Sequence, residues 1–124
     1  MMIQGPSAIL LTSFKERGGT DLAVHERQVD RLCEAETTGI VPCGSSSELS
    51  MLAPEENIEL LKVTAEITKG RKTLIGGATS GDVETTLRYL TAMAKWGYDG
   101  ALIAPPYYFP LEDEEVFEFY NMLS

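Results

Sequence analysis

Three stretches hold the residues whose types and spacing can do chemistry. The first is Gly44-Ser45-Ser46-Ser47-Glu48, which follows the apolar run Ile40 to Cys43. It sets hydroxyls and a carboxylate beside a glycine, just before the helix start Leu52-Ala53-Pro54-Glu55-Glu56. A loop of amides and hydroxyls at a helix entrance binds an anion without a formal positive charge. The plainer alternative is a polar turn that only caps the next helix. The second stretch, Gly76-Gly77-Ala78-Thr79-Ser80-Gly81, is glycine-rich in the manner of a phosphate cradle. No P-loop lysine follows it, so a nucleotide site is not expected there. The third, Pro105-Pro106-Tyr107-Tyr108-Phe109-Pro110, is a stiff aromatic loop.

Other reactive residues are isolated. Cys33 and Cys43 are spaced for neither a metal nor a redox pair, and are expected to be reduced, partly buried thiols. The lone His25 lies near the start of a polar helix and is expected on the solvated surface. The acidic run Glu112 to Glu115 is read as a charge cluster at a helix start; no metal site and no cofactor are expected.

The elements that must position these loops follow a repeating order. Ser7 to Ser13, centred on Ala8-Ile9-Leu10-Leu11, reads as a strand buried on both faces. Asp21 can cap a helix from about Leu22 to Glu36, with Val24, Val29, Leu32 and Cys33 as its apolar stripe. Gly39 to Cys43 is the second strand. Pro54 begins a helix that Ile58, Leu60, Leu61, Ala65 and Ile67 carry to about Lys69, where Gly70 ends it. Thr73 to Gly76 is a third strand. Asp82 caps a helix to about Trp96 with Val83, Leu87, Leu90, Met93 and Ala94 inward. Ala101 to Ala104 is a fourth strand, and a last helix from about Asp113 carries Val116, Phe119, Tyr120 and Leu123 on one face.

The pattern is βα four times at intervals of roughly 30 residues, the size of one unit in a parallel α/β fold. The 124 residues favour a single domain, with no linker and no low-complexity segment. Two architectures remain open: a small sheet with helices on both faces, or half of an eight-unit barrel. Successive strand-end loops rich in small, hydroxyl and aromatic residues favour the barrel, which gathers them at one rim.

Composition narrows the partners. Ten basic and nineteen acidic residues give a formal charge of −9, which repels phosphate backbones and anionic lipid heads. No nucleic acid or membrane partner is expected. No apolar run reaches the length of a membrane span, and no basic segment leads into an apolar stretch at the N-terminus. A cytoplasmic protein is the expectation.

Taken together, the loops resemble those of the dihydrodipicolinate synthase / N-acetylneuraminate lyase family. Gly44-Ser45-Ser46-Ser47-Glu48 resembles its Gly-Thr-Thr-Gly-Glu signature, and Ala104-Pro105-Pro106-Tyr107-Tyr108-Phe109-Pro110 its Thr-Pro-Tyr-Tyr-Asn-x-Pro loop. Ile75-Gly76-Gly77 is similar to its third strand and glycine loop. The resemblance runs along essentially the whole chain. It implies the N-terminal (β/α)4 half of a (β/α)8 (TIM) barrel and a class I aldolase that links a lysine to pyruvate or another 2-oxo acid. It further implies that Gly44, Ser45 and Ser46 bind the 2-oxo acid carboxylate. Tyr108, with Ser45, would belong to a hydroxyl relay that moves protons during imine formation, in many members across a subunit interface.

There are departures. The family has glycine where Ser47 stands and asparagine where Phe109 stands. Serines at 45 and 46 keep the hydroxyls, which suggests a relative acting on another 2-oxo acid. The family's lysine lies on a sixth strand. Here Lys15 is in a loop, Lys62 and Lys69 are in a helix, Lys72 is at a strand start and Lys95 is at a helix end. The chain alone is therefore expected to be inactive and to form a homo-oligomer. The alternatives are a non-catalytic half-barrel that binds a small carboxylate or self-assembles, and a small doubly wound domain of unrelated function.

Overall fold

The computed structural model describes residues 3–124. Strand β1 (Ser7–Ile9) leads to helix α1 (Leu22–Glu34), β2 (Gly39–Val41) to α2 (Pro54–Thr68), β3 (Thr73–Gly77) to α3 (Val83–Lys95), and β4 (Gly100–Leu102) to α4 (Asp113–Met122). The helix starts follow from local chemistry. Asp21 accepts the Val24 amide at 3.1 Å and Asp82 the Thr85 amide at 2.7 Å, each satisfying a donor left free at a helix start. Pro54 opens α2, while Glu56 reaches back to the Ala53 amide at 3.0 Å. The acidic run forms the first turn of α4, where Glu115 accepts the Glu112 amide at 2.8 Å.

All four strands are parallel and ordered β1-β2-β3-β4. Each strand neighbours the next in sequence, so every right-handed crossover puts its helix on the same side of the sheet. That order decides between the two architectures: a doubly wound sheet reverses its strand order, and this one does not. The core lies between that side and the helices. Leu10, Ile40 and Leu74 pack with Val29 and Cys33 of α1, and Leu60, Leu61, Tyr89 and Met93 form a second cluster between α2 and α3.

Two arginines tie the helix layer together through three ion pairs. Arg71 pairs with Asp30 and Glu34 of α1, each at 3.0 Å, and Arg88 of α3 with Glu55 of α2 at 2.8 Å.

Four expectations are corrected. The first strand is shorter than Ser7 to Ser13, and it is not buried on both faces: Ile9 is 51% and Leu11 59% exposed, while Leu10 is buried. The helices cover only one side, and β1 is an edge. His25 is not on the surface but 2% exposed, because it shares a face with Val29 and Cys33 at four-residue spacing. On α3 the buried positions are Thr86, Tyr89 and Met93, whereas Leu87 is exposed. Tyr89 is taken inward because its hydroxyl meets the buried Asn57 amide at 3.2 Å. On α4, Phe119 is the buried aromatic and Tyr120 is exposed, with its hydroxyl donating to Ile103 O at 2.9 Å.

Candidate functional site

The site is built where the strands end. Beyond β2, Cys43 takes φ 56° and Glu48 φ 59°, left-handed conformations that side chains rarely adopt. They bracket a 3-10 turn at Ser45–Ser47. Ser47 does not share their positive φ and is buried. Its hydroxyl donates to Leu10 O and accepts the Gly44 amide at 3.1 Å, while Thr12 donates to Ser47 O at 2.6 Å. The loop is thereby sewn to the end of β1. The Gly44 amide is spent inside the loop, so Gly44 acts through its surface as part of a wall.

The glycine-rich loop after β3 supplies the next wall. Gly77 runs so close to β2 that an added Cβ would lie 1.7 Å from Cys43 O. No side chain fits there. Thr79 then accepts the Ala104 amide at 2.9 Å through its hydroxyl, which fixes the aromatic loop against the glycine loop.

These three loops line a half-open pocket of about 510 Å³. Gly44, Ser45, Ser50, Thr79, Leu102 and Tyr107 contribute to its lining, and no charged side chain does. The volume falls within the range of small-ligand sites. Burial pushes the lining thiol of Cys43 up to about 12, so it is a neutral wall and not a nucleophile at ordinary pH.

The expected residues divide on inspection. Gly44 and Ser45 meet in the pocket. Ser46 is exposed one position along the turn and does not line it. Tyr108 is 86% exposed, its ring edge-on to Phe109 with centroids 4.9 Å apart, and it does not line the pocket. Tyr107 is the tyrosine that lines it. Thr79, Ser50 and Tyr107 are additions to the expected set; the hydroxyl of Thr79 inside a glycine-rich strand-end loop is the signal that points to it. None of the lysines lines the pocket. Lys72 is engaged at the opposite ends of the strands, donating to Ala35 O and Thr37 O at 2.7 Å each. Among the described residues, no group of three or more His, Cys, Asp or Glu side chains could hold a metal ion.

Comparison with known proteins bears on this geometry. The family model of the dihydrodipicolinate synthetase family matches residues 2–123. The chain belongs to that family. A 4-hydroxy-tetrahydrodipicolinate synthase of Zymomonas mobilis is 32% identical over 123 residues, which is 99% of this chain and 42% of that protein. Among solved structures, the 4-hydroxy-tetrahydrodipicolinate synthase of Methylacidiphilum fumariolicum SolV superposes with a TM-score of 0.90 at 31% identity, over 98% of this chain and 40% of its own. The N-acetylneuraminate lyase of Mycoplasma synoviae does so with a TM-score of 0.91 at 27% identity, over 96% and 42%. The chain thus spans about two-fifths of the length of these dihydrodipicolinate synthetase family relatives. The four βα units are the N-terminal half of the family's TIM barrel, and the pocket sits at the strand-end rim where such barrels carry their sites.

Proposed function

We propose that this chain carries the carboxylate-binding half of a pyruvate or 2-oxo acid lyase site. The observation that supports the reading best is the uncharged pocket in which Ser45, Thr79 and Tyr107 converge from three strand-end loops. A small monocarboxylate suits such a lining. Its anionic end takes hydroxyls and the first amides of the Ser45–Ser47 turn, which have no partner within the turn. Its neutral end meets Leu102 and Tyr107. The exposed Ser46, next along the turn, offers a second hydroxyl, and the exposed Tyr108 serves a proton relay in a neighbouring subunit's site.

The lysine that would form an imine is not among the five in this chain, so the chain alone binds and does not turn over substrate. A non-catalytic small-carboxylate binder is the second reading, to which the same uncharged lining is open. The protein works as a self-associated species in the cytoplasm, where Cys33 and Cys43 remain free thiols.

Saturation-transfer NMR with pyruvate tests this. The expected result is binding that Ser45→Ala weakens about tenfold, the loss of one charge-assisted hydrogen bond. Borohydride reduction in the presence of pyruvate should leave the mass unchanged. Binding indifferent to Ser45→Ala would remove the carboxylate role, and a mass gain at any lysine would overturn the non-catalytic state of the chain.

A further inference from the structure

Every polar group of Ser47 is committed inside the protein. Its amide donates to Gly44 O at 3.0 Å, and its carbonyl accepts the Thr12 hydroxyl at 2.6 Å. Its hydroxyl accepts the Gly44 amide at 3.1 Å and donates to Leu10 O. Gly44 and Ser47 are therefore locked to each other through both backbone groups of Gly44. The pair is tied to the end of β1 at two points, Leu10 and Thr12. Leu10 is itself anchored to β2, its amide donating to Val41 O at 3.0 Å. Ser47 and Leu10 are both buried, so no bulk water competes for these bonds.

Between Gly44 and Ser47 lie Ser45 and Ser46, both exposed. Ser45 lines the pocket, whereas Ser47 and Thr12 do not. The turn also needs holding. Cys43 and Glu48, on either side of it, are left-handed, a conformation that is unfavourable for a residue with a side chain and lasts only where its surroundings enforce it. Ser47 and Thr12 supply that enforcement from the neighbouring strand end.

We infer that Ser47 and Thr12 are positioning residues for carboxylate binding, fixing where Ser45 presents its hydroxyl to the ligand. The inference rests on the carboxylate reading of the pocket and adds what holds its main hydroxyl in place. The Ser47 hydroxyl acts in both directions, as donor to Leu10 O and as acceptor for the Gly44 amide. Alanine at 47 would strand a buried carbonyl and a buried amide together. The turn would then relax about Cys43 and Glu48, and Ser45 would move with it. Valine at 12 removes only the outer tie, and serine there keeps it.

Pyruvate titration of the 15N-labelled full chain, followed at backbone amides, tests this. Ser47→Ala and Thr12→Val should each weaken binding about tenfold, the scale for groups that orient a binding residue from behind it. Thr12→Ser should bind within about threefold of the wild type, because it keeps the hydroxyl. A cycle with Ser45→Ala separates positioning from general stability. If Ser47 acts through Ser45, Ser47→Ala adds little once Ser45→Ala has been made, and the two losses do not multiply. Hydrogen exchange at the Gly44 amide reads the lock without ligand, and should be at least about tenfold faster in Ser47→Ala. Should Ser47→Ala fail to fold, Thr12→Val and Thr12→Ser, at a half-buried site, decide the matter. Four results overturn the positioning role and leave the carboxylate reading standing: unchanged affinity in Ser47→Ala and Thr12→Val, losses that multiply with that of Ser45→Ala, unchanged exchange at Gly44, or a Thr12→Ser no better than Thr12→Val. Pyruvate binding that is absent from the wild type, or indifferent to Ser45→Ala, overturns that reading and this inference with it.

Discussion

His25 is the side chain whose surroundings most constrain its chemistry. Its Nε2 lies 2.8 Å from the Thr64 hydroxyl, and that hydroxyl already donates to Leu60 O at 2.8 Å. The imidazole must therefore donate through Nε2. Its Nδ1 is buried without a partner. Protonation would place a charged N–H where nothing accepts it, and burial lowers the His25 pKa from 6.5. The unfolded chain then binds the proton more readily than the folded one. Stability is fully present above about pH 6.5, falls as pH drops below that value, and levels off under the folded pKa. Urea unfolding between pH 7 and 5 should show this slope, up to about 1.4 kcal/mol per pH unit, and His25→Gln should flatten it. An equal slope in the variant would assign the effect elsewhere. The carboxylates of Glu55 and Asp82 do not confuse this window. The Arg88 guanidinium lowers Glu55 and the Thr85 amide lowers Asp82, so both titrate below the ordinary carboxylate range.

At the scale of elements, local signals and tertiary ones separate cleanly. The caps at Asp21 and Asp82, the helix-opening Pro54 and the glycine turns act within a few residues, so the four βα units and their helix starts could be read along the chain. Burial of His25 and Tyr89 could not. It depends on which helix faces which, and the partner, the Thr64 hydroxyl or the Asn57 side-chain amide, is tens of residues away. The same holds for the site: Ser45 and Gly44 stand out by type, but the choice of Tyr107 over Tyr108 depends on how the loop after β4 leans on Thr79. That lean begins at Gly77, where β3 passes the Cys43 carbonyl with no room for a side chain. The obstacle is backbone, which cannot swing aside. Gly77→Ala should therefore cost at least about 2 kcal/mol by chemical denaturation and weaken pyruvate binding, because it moves the Ser45 loop and the Thr79 loop apart. A cost under about 0.5 kcal/mol would mean the loops are not packed as described.

For the molecule as a whole, charge, sheet and site point in one direction. The chain carries −9, yet its pocket is uncharged and its bare sheet face is apolar. Acidic groups stay outside, on helices and turns, and no helix among the described residues is long and apolar enough to cross a membrane. The central claim is that a 2-oxo acid is held by its carboxylate at the strand-end loops. Amide-resolved NMR of the 15N-labelled chain, titrated with pyruvate, tests it most directly. The account predicts shifts at Ser45, Ser46 and Thr79, saturating together, with the amides near Lys72 at the other strand ends unmoved. Shifts centred on Lys72, or none at Ser45 and Ser46 at saturating pyruvate, would contradict it.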